Sequence, residues 1–146
     1  MTPYLIIDSE MINTLIHTAK KGVDVRIIMP GIADKKLIHD IGSSYYEQLI
    51  KGGVKIYEYI PGFVHSKVFI SDDTVATVGT INLDYRSLYL HFENGILLYT
   101  SRSIQDIKQN FEDTLSRCKQ IQSEDTHVPL IKSFFLSVIR IFSPML

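Results

Sequence analysis

Residues 65–82, HSKVFISDDTVATVGTIN, give the clearest indication of the fold. The runs 64–70 and 74–78 are rich in β-branched side chains, which is typical of strands. Asp72 and Asp73 stand between these runs, and a short turn of this composition predicts an antiparallel hairpin. The centre of the chain is therefore expected to be a β-hairpin that carries several polar side chains.

The polar residues of this hairpin suit phosphate chemistry. His65 and Lys67 are two residues apart, so in a strand both side chains point to the same face. Burying a lysine ammonium is expensive, whereas at a surface it can neutralise a phosphate that a histidine attacks or protonates. Thr80 and Asn82, on the loop that follows, can donate further hydrogen bonds to phosphoryl oxygens.

Each of these residues has an ordinary explanation when it is taken alone. A single histidine on a strand is more often structural than catalytic, and paired aspartates normally mark a turn. The joint pattern H-x-K-x4-D-x6-G-T-x-N, which runs from His65 to Asn82, is far more specific than any of its parts. It makes the hairpin the place to look for chemistry.

Alternating strands and helices precede the hairpin. A strand is predicted over 4–7, a helix from Asp8 or Ser9 to Gly22, a strand over 23–29, a helix over 34–51 and a strand over 54–59. This order predicts an α/β layer with at least partly parallel strands. After the hairpin, a strand is predicted over 88–99 and a helix over 103–120.

The end of the chain is predicted to be a separate unit. Residues 1–121 form the main domain, 122–128 a polar linker, and 129–146 an amphipathic helix. The apolar face of that helix comprises Ile131, Phe134, Phe135, Val138, Ile139, Phe142 and Met145. With Lys132 and Arg140 as its charges, such a helix fits an interfacial membrane helix. Packing on the domain's own core, or on a partner domain, explains the same pattern.

Composition excludes several classes of protein. The 146 residues carry a formal charge of −1, whereas a nucleic-acid-binding domain usually has a basic excess. Cys118 is the only cysteine, so an internal disulfide is impossible. No run of about 18 uncharged apolar residues occurs, and we expect no membrane span. A strand is predicted at residues 4–7, directly after the first three residues. This fits both a piece of a longer chain and a compact domain whose first strand lies near its terminus.

The joint pattern resembles the HKD motif of the phospholipase D superfamily, in which the last part is commonly G-S-x-N. Thr80 stands where that serine is usual and keeps its hydroxyl. Three segments look like the C-terminal catalytic half of bacterial cardiolipin synthases: TPYLIIDSEMINTLIHTAKKGVDVRIIMPG, SYYEQLIKGGVKIYEYIPGFVHSKVFISDD and VATVGTINLDYRSLYLHFENG. The resemblance runs from Thr2 to about Phe111, and the terminal PLIKSFFLSVIRIFSPML also looks like that family's C-terminal end.

The resemblance implies a mixed α/β sheet flanked by helices, one half of a two-motif pseudo-dimer. It also implies phosphatidyl transfer without a metal or organic cofactor, through a phosphohistidine on His65. Lys67, Thr80 and Asn82 are expected to hold the phosphoryl oxygens.

Two acidic residues complete the set of catalytic residues that the resemblance implies. Glu93, in the HFENG segment, is expected to accept the other ring N–H of His65, although a purely structural strand-edge acid fits the same position. Asp72, the third residue of the motif, either orients the opposite histidine or holds the hairpin.

The chain departs from the family's pattern because the motif occurs once, whereas a complete enzyme needs two copies facing each other. The second copy must come from a missing N-terminal half or from a homodimer partner. The expected substrate is phosphatidylglycerol on an anionic membrane surface, with no nucleic acid, and the expected location is the bacterial cell membrane, on its cytoplasmic side or peripherally bound.

Three functions remain open on the sequence. The first is the C-terminal half of a cardiolipin synthase, which joins two phosphatidylglycerol molecules and releases glycerol. The second is a single-motif phosphodiesterase or nuclease that acts as a homodimer. The third is a catalytically silent chain whose exposed face binds a partner. The charge disfavours the nuclease, and the tail favours the lipid enzyme.

Overall fold

A computed structural model describes residues 1–142 of the chain. The last part of the predicted tail helix, including Met145, lies outside the described residues. The elements in chain order are β1 (Leu5–Ile6), α1 (Ser9–Lys20), β2 (Arg26–Pro30), α2 (Lys36–Ser43), α3 (Tyr46–Lys51), β3 (Lys55–Tyr59), β4 (Val68–Ser71), β5 (Val75–Gly79), β6 (Leu83–Asp84), α4 (Tyr85–Tyr89), β7 (Gly95–Tyr99), α5 (Ser103–Leu115), β8 (Cys118–Ile121), a 3₁₀ turn (Ser123–Thr126) and α6 (Leu130–Arg140).

Parallel pairing dominates the first half of the chain, as its alternating order predicts. Strand β2 pairs in parallel with β3, and the short strand β1 pairs in parallel with β6. Strand β8 then pairs antiparallel with β3, with Ile121 opposite Ile56, and gives the sheet order β2-β3-β8. The result is the mixed α/β arrangement that the sequence predicts.

The predicted hairpin is present and defines the second sheet. Strands β4, β5 and β7 form an antiparallel meander in chain order. Asp72 and Asp73 have φ angles of 50° and 57°, and the Thr74 N–H closes the turn on the Ser71 carbonyl at 3.1 Å. A two-residue turn with both central residues in the left-handed region matches the right-handed twist of the flanking strands.

Three element predictions are wrong in part. The strand predicted over 88–99 starts only at Gly95, because the Asp84 carboxylate accepts the Ser87 N–H at 2.7 Å and caps helix α4 instead. The helix predicted over 103–120 ends at Leu115, and the residues beyond it form β8. The helix predicted over 34–51 divides into α2 and α3, with a break at Ser44 and Tyr45.

The main core lies between the β2-β3-β8 sheet and helices α1 to α3. Its fully buried side chains include Leu5, Ile41, Leu49 and Ile56. A second, smaller cluster joins β2 to the hairpin through Ile28, Val64 and Val68. Because Val64 and Val68 are both anchored there, the segment between them is held against the body of the domain.

Helix α6 contacts the main core through a narrow strip. Leu136 is buried in that core, the Lys132 ammonium lies 3.0 Å from Asp40, and the Arg140 guanidinium lies 3.9 Å above the Tyr45 ring. Ile139 is partly buried against the same core. The remaining large apolar side chains of this segment are exposed: Leu130, Ile131, Phe134, Phe135, Val138, Ile141 and Phe142. Within residues 1–142, no helix is both long enough and apolar enough to span a bilayer.

Candidate active site

His65 and Lys67 lie in an extended segment that leads into strand β4. The strand itself begins at Val68, so the two residues precede it, whereas the sequence placed them within a strand from residue 64. Val64 and Val68 are buried on either side, while His65 is exposed and Lys67 is half-buried. The anchored valines therefore present the two polar side chains at the surface.

The side chains of His65 and Lys67 contact each other directly. The Lys67 Nζ atom lies 3.1 Å from each ring nitrogen of His65 and donates to the His65 carbonyl at 3.0 Å. Partial burial lowers the pKa of Lys67, and the charges of Glu93 and Asp84 partly offset that shift. The pair thus combines a cation with an imidazole at one accessible point, as the sequence predicts.

Thr80 and Glu93 form a second contact, across the end of the meander. The Thr80 hydroxyl donates to the Glu93 carboxylate, and the Asn94 N–H donates to Thr80 Oγ1 at 2.9 Å. The Thr80 N–H in turn donates to the Asn94 carbonyl at 2.9 Å. Gly79 makes this approach possible, because a Cβ there would lie 2.3 Å from the Asn94 carbonyl oxygen.

The carboxylate of Glu93 is held in its ionised form. The hydrogen bond from Thr80 is the main cause of its lowered pKa, helped by the Ser87 hydroxyl and by the charges of His91 and Lys67, and opposed by partial burial. No hydrogen bond between Glu93 and His65 occurs among the described residues. The contact that the sequence predicts between them is replaced here by one with Thr80.

Asn82 points toward helix α4. Its Nδ2 group donates to Ser87 Oγ at 3.2 Å, and its Oδ1 atom is buried without a hydrogen-bond partner among the described residues. Ser87 therefore links Asn82 to Glu93, a role that the sequence analysis missed. The available signal was Asp84, a residue type that commonly caps helices, three positions before Ser87.

Asp72 lies away from the other candidate residues. It occupies the turn at the far end of β4, where its carboxylate accepts from the Ser71 hydroxyl at 3.2 Å. At about 3.3 Å per residue, strand β4 separates it from Lys67 by roughly 16 Å. The structure thus brings together Lys67 with His65 and Thr80 with Glu93, and leaves Asp72 in the turn.

Arg86 and His91 extend the site beyond Glu93, and the sequence analysis did not predict either. The Arg86 Nε–H donates to His91 Nε2 at 3.1 Å, and His91 Nδ1 lies 3.9 Å from Glu93 Oε1. The metal-ligating side chains of residues 1–142 form no group of three or more that could hold an ion.

Comparison with known proteins identifies the family to which the chain is similar. Residues 1–115 match the family described as cardiolipin synthase, PLD-like domain. Cardiolipin synthase 2 of Bacillus cereus is 40% identical over 146 residues, which cover 99% of this chain and 28% of that protein. The chain therefore spans less than a third of the length of that curated relative.

Solved structures share the fold. The phospholipase D family member Nuc from Salmonella typhimurium aligns with a TM-score of 0.67 and 17% identity, over 82% of this chain and 78% of its own. Phosphatidylserine synthase from Haemophilus influenzae aligns with a TM-score of 0.78 and 15% identity, over 99% of this chain and 40% of its own. The family resemblance and fold class predicted from the sequence are confirmed, and the chain belongs to the cardiolipin synthase family of phospholipase D-like domains.

Proposed function

We propose that this chain is one catalytic half of a phosphatidyltransferase that makes cardiolipin and glycerol from two molecules of phosphatidylglycerol. The contact that carries the proposal is the 3.1 Å approach of the Lys67 ammonium to both ring nitrogens of His65. A phosphodiester bound by that ammonium lies directly beside the imidazole. The family match and the related cardiolipin synthases support the lipid substrate.

The reaction would proceed in two displacements at phosphorus. A neutral His65 ring nitrogen forms a bond to the phosphorus of the first lipid, and the bond from phosphorus to its glycerol headgroup breaks. The departing glycerol oxygen takes a proton from a general acid. A hydroxyl of the second lipid then loses its proton to the same group and attacks phosphorus, which releases His65 and yields cardiolipin.

Lys67, Thr80 and Asn82 would hold the phosphoryl oxygens during both displacements. Charge on these oxygens grows in the transition state, and a positioned donor is commonly worth about 10²–10³-fold in rate. The Thr80 hydroxyl is already bonded to Glu93, so its share in phosphate binding requires that bond to be exchanged. We assign Glu93 to positioning the Thr80 loop, and Asp72 to holding the hairpin turn.

The general acid would come from a second motif. His65 is the one histidine in the sequence that has a lysine two residues after it, so the chain holds a single copy of the pair. The partner is therefore the other half of a longer enzyme or a second copy of this chain. In a symmetric pair, the same surface meets itself and places the two His65 side chains across one phosphate.

Helix α6 would place the domain on an anionic bilayer surface, peripherally and on the cytoplasmic side. Its outward face is apolar, whereas its two positive side chains, Lys132 and Arg140, contact Asp40 and the Tyr45 ring of the domain. A broad exposed apolar face is typical of helices that lie in the membrane interface. Contact with lipid would hold the site at the level of the headgroups.

The test uses the purified chain at high concentration with phosphatidylglycerol labelled in its phosphate. We expect label on His65 and formation of cardiolipin, both abolished in His65→Ala and strongly reduced in Lys67→Ala. The exposed His127→Ala serves as the matched control and keeps both signals. Cleavage of single-stranded DNA without lipid transfer would favour the homodimeric nuclease. Retained transfer in His65→Ala would contradict the proposal.

A further inference from the structure

An exposed edge beside Glu93 has the chemistry of a second phosphate site. We call it the Arg86 edge, and it consists of Arg86, Leu90, His91 and Phe92. The Arg86 Nε–H donates to His91 Nε2 at 3.1 Å, so His91 carries its own proton on Nδ1, which lies 3.9 Å from the Glu93 carboxylate. The imidazole thereby fixes the direction of the guanidinium.

The outer side of the Arg86 guanidinium is free. Over residues 1–142, its two Nη groups make no hydrogen bond and no ion pair, and the residue is exposed. Two parallel N–H groups of a guanidinium match two oxygens of a phosphate, which makes arginine the best side chain for bidentate binding of such anions. A preoriented guanidinium with this side open is suited to a phosphodiester.

Two exposed apolar residues follow Arg86 in the chain. Phe92 is fully exposed at 108%, and Leu90 is 59% exposed. Both belong to the short segment between Arg86 and Glu93. An anion that also carries hydrocarbon is therefore a better match than a free inorganic ion, because the apolar side chains lose contact with water only against an apolar ligand.

The Arg86 edge is connected to the phosphate-binding residues by a short path. From Arg86 to Thr80, the path crosses one imidazole and one carboxylate, through His91 and Glu93. In cardiolipin one glycerol unit separates the two phosphates, so the phosphate of the acceptor must lie close to the reacting one. Two phosphodiesters at that separation repel each other, so each needs its own cation, and Lys67 serves the reacting one.

We infer that the Arg86 edge binds the phosphodiester of the second phospholipid, the one whose hydroxyl accepts the phosphatidyl group. Arg86 would bind its phosphate, and Leu90 and Phe92 would contact its acyl chains. This inference rests on the proposed function, since it assigns the position of that reaction's acceptor.

The experiment measures binding to the whole chain and needs no turnover. The chain, labelled with ¹⁵N, is titrated with dihexanoyl phosphatidylglycerol below its micellar concentration, with glycerol phosphate, and with glycerol. We expect the Arg86 Nε–H and His91 ring signals to follow one binding event, and the His65 ring signals to follow another. Glycerol should move neither set.

The variants separate the two events. Arg86→Gln should raise the dissociation constant measured at His91 by about 10-fold or more for both phosphate ligands, because a charged bidentate pair contributes strongly to binding. Arg86→Lys keeps the charge and should retain part of this binding. Phe92→Ser should weaken only the short-chain lipid, which distinguishes a lipid headgroup from a free phosphate ester. Lys67→Ala should remove the His65 event and leave the His91 event.

The outcomes distinguish this inference from the proposed function. If the His65 ring signals of the wild-type chain do not respond to either phosphate ligand, the proposed function is contradicted. A single event that Arg86→Gln does not change overturns the acceptor site, even if transfer at His65 is intact. If Arg86→Gln changes only the self-association of the chain, as measured by sedimentation, the edge is a protein interface and the inference is also overturned.

Discussion

Thr80 and Glu93 are joined by a hydrogen bond in which the threonine hydroxyl donates and the carboxylate accepts. The same hydroxyl oxygen accepts the Asn94 N–H at 2.9 Å, so one side chain satisfies two groups of the loop that follows α4. The hydroxyl at this position of the motif is therefore part of the local framework as well as a candidate phosphate ligand.

Replacing Thr80 separates these roles. In Thr80→Val, the Asn94 N–H and the Glu93 carboxylate both lose their partner; because these groups are open to water, the cost is about 0.5–1.5 kcal/mol in the free energy of unfolding. Because the Thr80 hydroxyl is the main cause of the lowered pKa of Glu93, that pKa should rise toward its ordinary value. Carboxyl ¹³C NMR measures the change. Thr80→Ser keeps the hydroxyl and should behave as the parent chain; an unchanged Glu93 titration in Thr80→Val would refute the assignment.

Phosphate binding should weaken on the alkaline side at a lower pH than an ordinary lysine would allow. Burial lowers the pKa of Lys67, and only the protonated ammonium attracts the anion. As the pH rises through this lowered pKa, the charge is lost. Titration of short-chain phosphatidylglycerol between about pH 7 and pH 11 measures the decline. Lys67→Arg keeps its charge over that range and should flatten the profile; a parallel decline in Lys67→Arg would point to another group.

The two sides of helix α6 should respond differently to substitution. Leu136→Ala leaves a cavity in the main core and should lower the free energy of unfolding by about 2–5 kcal/mol. Phe134→Ser, on the outward face, should change stability by only about 0.5 kcal/mol while reducing co-sedimentation with anionic vesicles. Unchanged vesicle binding in Phe134→Ser together with Phe135→Ser would show that this face does not contact lipid.

Gly79→Ala should open the end of the meander. The added Cβ would lie 2.3 Å from the Asn94 carbonyl oxygen, a backbone atom that cannot move without separating β5 from β7. We expect a lower melting temperature and loss of protection of the Thr80 amide against hydrogen exchange. Gly62→Ala is the matched control, since nothing lies within 4 Å of a Cβ there. Equal behaviour of the two variants would contradict the packing described.

Any turnover by the isolated chain should depend on its concentration. General acid help typically contributes about 10²–10⁴-fold, and one His65 cannot both attack and protonate the leaving oxygen. Specific activity should therefore rise with chain concentration, and added His65→Ala chain should reduce it below simple dilution. Constant specific activity from a strictly monomeric sample, established by sedimentation, would refute the two-histidine mechanism.

The features that sequence predicts well are local in the chain. The turn at Asp72 and Asp73 depends on two adjacent residues, and the placement of His65 and Lys67 on one face needs only their spacing. Strand β8 was missed because its polar residues, Lys119 and Gln120, give it no alternating pattern, and only pairing with β3 makes it a strand. A strand at the edge of a sheet is defined by its neighbour.

Helix α6 shows the same limit in another form. The sequence predicts a broad apolar face, and the face is present, but most of it points to solvent. The residue buried in the core is Leu136, which lies outside the predicted set, and of that set Ile139 packs against the same core. The sequence analysis misses Ser87 and Arg86 because they belong to a helix that depends on the Asp84 cap, in a segment that it treats as a loop before the strand predicted over 88–99.

The two kinds of strand pairing also differ in how the chain can assemble. The β4-β5-β7 meander joins neighbours along the chain, whereas the pairing of Leu5 with Leu83 closes a loop through more than half of it. Loop closure of that length costs more conformational entropy, so such contacts form late in folding. We therefore expect the meander to gain order first. The phosphate-binding residues beside the meander would then be ordered early, and the parallel strands would pair afterwards.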